Sequence, residues 1–398
     1  MKIGVYYVES TNVDSVNINQ YNQDLVKTLG EMTGHEIGFT DLEHAKDADL
    51  LLVFIGGGGT EGRFKAVLDQ LPKPVFLMTT GYNNSLAASM EILSYLQQQN
   101  IKGEIIHGST EKMAARISTL ATVFAAKKKI SGMRLGSVGR PSDWLISSDV
   151  DAALSKERNG IELVDISMEE FFAEIAKKEY EDNVWTKMVK EKNWHPKDTE
   201  LCCEIYGALR RLVDKYQLDG VTVRCFDLLG PIKGTGCLAL AVLNAQGIYA
   251  GCEGDMPSLI SMAVLGELSG KPVFMANPSR ILSDSNEIIF AHCTLPLNMP
   301  TEIELMTHFE SGLGVAFRGR IPEGPCTIFK TSGLLDRYFV KAGTLSENLC
   351  ETNLCRTQIR IGLAEEDLNY FLTKSIGNHH LIVTGDYEEL VKEFFKWL

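Results

Sequence analysis

Glu253, Asp255, Asn277, Asp284 and His292 lie within one stretch of fifty residues, 247–296. Their side chains are of the types that hold a hard or borderline cation through oxygen and nitrogen. A carboxylate among them can also take a proton from carbon and return it. Two acids at the start of a helix are equally the ordinary charge pattern of a helix N-terminus. Both readings stand until the residues are placed.

The local sequence says how they are placed. Apolar residues 248–250 lead into Cys252-Glu253-Gly254-Asp255. Pro257 follows at a first-turn position, where its missing N–H costs nothing. Ile260, Ala263, Val264 and Leu268 recur at helical spacing, Gly270 ends the run, and residues 272–276 form a strand. This is a strand–helix–strand unit of about thirty residues. If its strands are neighbours they are parallel with a right-handed crossover. Glu253 and Asn277 then stand roughly 5 Å apart at adjacent strand ends, on the edge where open α/β sheets bind ligands. The polar segment 277–287 is expected to return along the same rim with Asp284. Strand 288–291 then delivers His292 and Cys293.

Cys252-Glu253-Gly254-Asp255, the turn Ser269-Gly270-Lys271-Pro272, and the strand ending in His292-Cys293-Thr294-Leu295-Pro296 resemble the L-fucose isomerase family. L-arabinose isomerase is a more distant relative of that family. The resemblance covers most of the chain and is strongest in 247–296 and at the C-terminal histidines. It implies a metal-dependent aldose–ketose isomerase, usually using Mn²⁺, that acts on an open-chain sugar through an enediol. It also implies a homo-oligomer, trimer or hexamer. Glu253 is then a metal ligand and acid/base group. The family's second carboxylate falls at position 277, which here is Asn277. Its histidine ligand falls in Gly377-Asn378-His379-His380, and either His379 or His380 can be the match. An amide oxygen can ligate a cation but cannot accept a proton. Asp255 or Asp284 is therefore a candidate replacement, and the alternative is a sugar-binding or regulatory protein without turnover.

Four residues, Arg140, Trp144, His292 and His308, are candidate sugar contacts. Arg140 and Trp144 follow a strand at 134–139, and an indole face stacks on sugar C–H groups while a guanidinium bonds hydroxyls. The alternative is a loop whose tryptophan packs on its own domain. His308 lies near the start of the C-terminal strands. Adjacent histidines in a strand point to opposite faces, so one of His379 and His380 faces any given site.

The whole chain supports such a site. Its 398 residues suffice for two or three domains. Strands and helices alternate over 1–130, which predicts a flavodoxin-like doubly wound α/β domain. A second α/β domain is expected over 131–298 and an antiparallel β domain over 299–398. The run Gly56–Gly59 has neither dinucleotide nor P-loop spacing and reads as a tight turn that leaves N–H groups free. Residues 179–200 read as a solvated connector. A net charge of −13 argues against nucleic acid. The opening residues read as a strand rather than a signal peptide, and no apolar run reaches the roughly 18 residues of a membrane span. Nine cysteines without a regular framework are expected to be reduced, and the protein to be cytoplasmic.

Overall fold

The structure is a computed structural model that describes residues 1–10 and 15–398, the side chains of 15–19 excepted. The chain divides into two compact units, Met1–Lys128 with Lys392–Leu398, and Lys129–Val391.

In the first unit β1 (Lys2–Val8), β2 (Glu36–Thr40), β3 (Leu50–Ile55), β4 (Val75–Met78) and β5 (Gly103–Ile106) form a parallel sheet in the order 2-1-3-4-5. The alternation predicts a parallel doubly wound sheet, and this order is of that kind. Helices α1 (Ser15–Thr33), α2 (Glu61–Val67) and α3 (Ser85–Gln98) connect the strands, and α4 (Thr110–Ile130) follows β5. β3 and β4 are buried throughout, as strands covered on both faces must be. The edge strand β2 is mostly exposed, so its sequence lacks the apolar signal and its presence was not foreseen. Gly56 and Gly57 are tight-turn residues: a side chain on Gly56 would meet the Tyr7 hydroxyl at 2.4 Å.

The second unit opens with another parallel sheet. β6 (Arg134–Val138), β7 (Glu162–Ile166), β8 (Gly220–Val223) and β9 (Tyr249–Cys252) lie in the order 7-6-8-9. The chain reverses direction across the sheet between β6 and β8. Around it run α5 (Ala152–Asn159), α6 (Met168–Ile175), α7 (Val184–Glu191), α8 (Pro196–Tyr216) and α9 (Cys237–Ala245). Within 179–200 the expected connector contains α7, capped by Asn183 and Thr186.

Helix α10 (Met256–Ser269) follows β9 and is buried on nearly every side. Its composition explains this, because a helix apolar all round needs partners all round. It contacts β6, β8 and β9 of the parallel sheet, and β10 (Phe274–Leu282), β14 (Gly324–Thr331) and β17 (His380–Thr384) of a second sheet. That second sheet is a closed antiparallel barrel in the order 10-11-16-15-14-17, completed by β11 (Glu287–His292), β15 (Tyr338–Leu349) and β16 (Thr357–Gly362). β12 (Glu302–Met306) and β13 (Ala316–Arg320) form a separate ribbon, and α11 (Glu365–Thr373) and α12 (Glu388–Lys396) complete the chain.

The barrel corrects the expected strand–helix–strand unit. β10 pairs antiparallel with β11 and β17, not parallel with β9. The antiparallel strands therefore begin at Phe274, upstream of residue 299. β10 and β11 form a hairpin whose turn holds Asp284, exposed, while His292 ends the other limb. Six residues of antiparallel strand span roughly 20 Å, so Asp284 and His292 lie at opposite ends of the hairpin. No helix among the described residues is long and apolar enough to cross a membrane.

The barrel interior is filled by Phe274, Ile288, Phe290, Ile328, Ile359, Ile361 and Ile382, among others. Phe290→Ala is expected to destabilise this unit by about 3–5 kcal/mol. Chemical denaturation should show an earlier midpoint for the second unit, and an unchanged midpoint would refute this account of the core.

Candidate active site

Glu253 is the first residue past β9, beside the reversal point between β6 and β8, where ligands bind in open α/β sheets. Its backbone is left-handed at φ 61°, an unfavourable conformation for a side chain of this size. Surrounding contacts hold it there. The Ser142 N–H donates to the Glu253 carbonyl at 2.9 Å, and the Gly254 N–H donates to the Val223 carbonyl at 3.0 Å. Gly254 has φ 73°, and a Cβ there would lie 2.0 Å from the Arg140 carbonyl oxygen, so no other residue fits. Backbone strain of this kind is found where a side chain must be aimed.

The loop after β6 supplies the first partner. The indole N–H of Trp144 donates to Glu253 Oε2 at 2.6 Å. The Trp144 ring packs edge-on against Phe226, 4.9 Å between centroids, and Phe226 packs in turn against His308 at 5.5 Å. Trp144 is 53% exposed, so solvent reaches the cluster on this side.

The barrel supplies the second partner. His379 and His380 are both fully buried and diverge, as neighbours on a strand do. His380 bonds the Tyr370 hydroxyl at 3.1 Å and the Asn378 carbonyl, and lies among Phe290, Phe339 and Phe371. Burial pushes it down to about 3. His379 turns the other way. Its Nδ1 bonds Asp255 Oδ2 at 2.9 Å, and its Nε2 lies 3.4 Å from Glu253 Oε1. That second contact allows charge attraction but is not aligned as a hydrogen bond, so Nε2 is buried without a hydrogen-bond partner. A buried nitrogen whose one partner is an unaligned carboxylate oxygen at 3.4 Å is a position that an ion between the two would complete.

Asp255 caps α10 and is sealed from solvent. It accepts from the Ser258 N–H at 3.0 Å and hydroxyl at 2.6 Å, and Lys330 Nζ stands 3.7 Å away. Lys330 in turn donates to Ser258 Oγ at 2.5 Å. With these partners Asp255 has no access to a ligand and acts on His379 alone. Carboxylates that fix an imidazole by its far nitrogen are the usual supports of metal-binding histidines. Lys330 was not foreseen, although the alternation Cys326, Ile328, Lys330 places a lysine on the apolar face of its strand.

His292 is buried, its ring 5.3 Å from that of His379, and its Nδ1 bonds Thr294 Oγ1 at 2.8 Å. Donor atoms of Cys252, Glu253 and His292 lie within 4.8 Å of one another. Asn277 follows Ala276, the residue that pairs with His380 at the end of the β10–β17 ladder. Its Oδ1 accepts from Asn378 Nδ2 at 3.2 Å. Asp284 is excluded by its place at the hairpin turn. Arg140 is exposed and paired with Asp165 at 2.8 Å, so its guanidinium is not turned toward Glu253. His308 is buried beyond Phe226, with Nδ1 on Ser311 Oγ at 3.0 Å. A cavity of about 480 Å³ elsewhere in this unit, between α8 and residues 179–183, contains none of these groups.

The charges reinforce one another. Burial pushes the Glu253 carboxyl up, but the His379 imidazole, with His292 and Trp144, overrides it and brings it to about 2. Burial pulls His379 down, and Asp255 and Glu253 override it, raising the imidazole from the ordinary 6.5 to about 9. Burial, followed by the charge of His379, lowers His292 to about 3, leaving it neutral. The protein thus holds a carboxylate, an imidazolium and a second carboxylate in line.

Two outcomes follow. Asp255→Asn leaves Lys330 buried without its counter-charge and is expected to cost about 3–5 kcal/mol. A denaturation midpoint equal to wild type would contradict this. In chelated protein, His379 contributes stability below its unfolded value of about 6.5, and loses it as pH rises through about 9. The stability difference between wild type and His379→Gln should therefore shrink from pH 6 to pH 9.5, and a constant difference would refute the charge assignment.

No family model matches the chain. It is similar to sulfoquinovose isomerase of Priestia aryabhattai and of Priestia megaterium (strain ATCC 12872 / QMB1551), in each case 22% identical over 333 residues, 79% of this chain and 74% of the relative. Sulfoquinovose isomerase of Clostridium sp. (strain MSTE9) is 28% identical over 102 residues, 25% of this chain and 23% of its own. These relatives are isomerases by name, in keeping with the isomerase resemblance of the motifs, but the name is not that of L-fucose isomerase.

Proposed function

We propose that the protein is a divalent-metal-dependent aldose–ketose isomerase. The observation that carries this reading is His379 Nε2, buried and without a hydrogen-bond partner, aimed at Glu253 Oε1 and locked from behind by Asp255. Similarity to isomerases along most of the chain supports it. The donor set fits a cation such as Mn²⁺: Glu253 and His379 would hold it, with His292 beside them. A bound cation would supply Lewis acidity, polarising a sugar carbonyl and stabilising negative charge on oxygen.

The protein groups divide the remaining work. Asp255 keeps the His379 Nδ1 proton, so it is Nε2 that gives up its proton when a cation is held. A bound cation would replace the imidazolium's charge with its own, so Glu253 would stay an ionised carboxylate beside it. Asp255 is sealed and Asn277 cannot accept a proton, so Glu253 is the carboxylate that moves the proton between C1 and C2 of the open-chain sugar. Trp144 holds Glu253 Oε2 and presents its ring to solvent, where it can stack on the sugar's C–H face. The substrate class follows the relatives: an aldose carrying an anionic group, with neutral aldoses as the comparison.

Glu253→Gln is expected to lower kcat by about 10³-fold or more with the fold retained. Chelation should abolish turnover and Mn²⁺ restore it. Turnover indifferent to both the chelator and the substitution would sink this reading. A second reading, a sugar-binding protein without turnover, is favoured by Asn277 standing where a second carboxylate is expected. It predicts sugar binding that survives chelation, with no isomerisation of sulfoquinovose or of neutral aldoses under any metal.

A further inference from the structure

Near Phe226, against which His308 packs at 5.5 Å, sulfur atoms gather from distant parts of the sequence. Cys237 is the first residue of α9, Cys293 follows β11, and Cys355 precedes β16. Cys355 packs against the buried pair Cys237 and Cys293. Donor atoms of Cys237, Cys293 and His308 lie within 4.8 Å of one another. Cys237 and Cys293 are 3% exposed and pack with Ala316. His308 comes from the loop after β12. Its Nδ1 is engaged by Ser311, which leaves Nε2 as its ligand atom.

We infer that Cys237, Cys293, Cys355 and His308 form a tetrahedral Zn²⁺ site, distinct from the Glu253–His379 cluster. Three sulfurs and one imidazole nitrogen make a standard zinc donor set. Zn–S bonds of about 2.3 Å in a tetrahedron separate the ligand atoms by roughly 3.8 Å, within the 4.8 Å spacing of Cys237, Cys293 and His308, and Cys355 packs against them as the fourth donor. Binding would release three thiol protons, giving one cation on three thiolates and a neutral imidazole with a net charge of −1. Two features offset that charge. Cys237 opens a helix, where the backbone dipole is positive. Arg356 adjoins Cys355, its guanidinium fixed on the Thr307 carbonyl at 2.7 Å and the Thr307 hydroxyl at 3.2 Å. The site ties α9, the end of β11, the loop after β12 and the loop before β16 together. It stands whether or not the protein is an isomerase.

The test is cobalt substitution in the full-length protein after chelation under reducing conditions. One equivalent of Co²⁺ should give an intense near-ultraviolet sulfur-to-cobalt charge-transfer band with the visible bands of a tetrahedral ion, and one equivalent of Zn²⁺ should remove them. Cys293→Ser and the more exposed Cys355→Ser should each lose or strongly weaken the charge-transfer band. Cys350→Ser, an exposed cysteine outside the cluster, and Glu253→Gln should keep it. Absence of the band in wild type would overturn the proposal and leave three thiols packed as small apolar groups. So would a band that survives Cys293→Ser and Cys355→Ser, or one that disappears in Cys252→Ser while those two retain it.

Discussion

The line Lys330–Asp255–His379–Glu253 is the constraint on which the second unit depends. Its members come from β14, the N-cap of α10, the start of β17 and the end of β9. Burying one charge without a partner is strongly unfavourable, whereas an alternating row of opposite charges with hydrogen bonds can be accommodated. The parallel sheet and the barrel must therefore meet in one arrangement, with α10 between them. Apolar packing against α10 supplies the driving force, and the polar line selects the register.

The same line explains how one aspartate and one glutamate two residues apart do different work. Asp255 is saturated by Ser258, Lys330 and His379 and serves as a fixed anion. Glu253 has one oxygen on Trp144 and the other facing His379, on the side where solvent enters. The difference comes from Gly254. With its left-handed turn after the left-handed Glu253, the two carboxylates meet His379 at its two different ring nitrogens.

Much of this was legible in the residues. Glu253 was identified from its position after an apolar run and before a proline-started helix, and the strand pattern of the first unit followed from buried runs such as Leu50–Ile55. The divergence of His379 and His380 followed from strand geometry, though not which of them faces Glu253. What the sequence concealed was sheet membership. The run before Asn277 is apolar and follows a helix, as a parallel neighbour of β9 would be, and only its pairing with β11 and β17 reveals a barrel. Asp284 was misplaced for that reason, since a hairpin turn and a returning rim loop have the same composition. Arg140 was placed on the correct loop, but its side chain is captured by Asp165, a contact 25 residues away that no local pattern announces.

Lys330 gives the arrangement one more property. A barrel strand paired one residue out of step would swap the faces of all its side chains. On β14 that would withdraw the ammonium from Ser258 and Asp255 while leaving an acid enclosed in hydrocarbon. A single misaligned strand thus carries a penalty far from where the slip occurs. The chain has in effect a proofreading contact: assembly is complete only when the barrel's lysine reaches the helix cap, and the imidazole facing Glu253 is set by the same event.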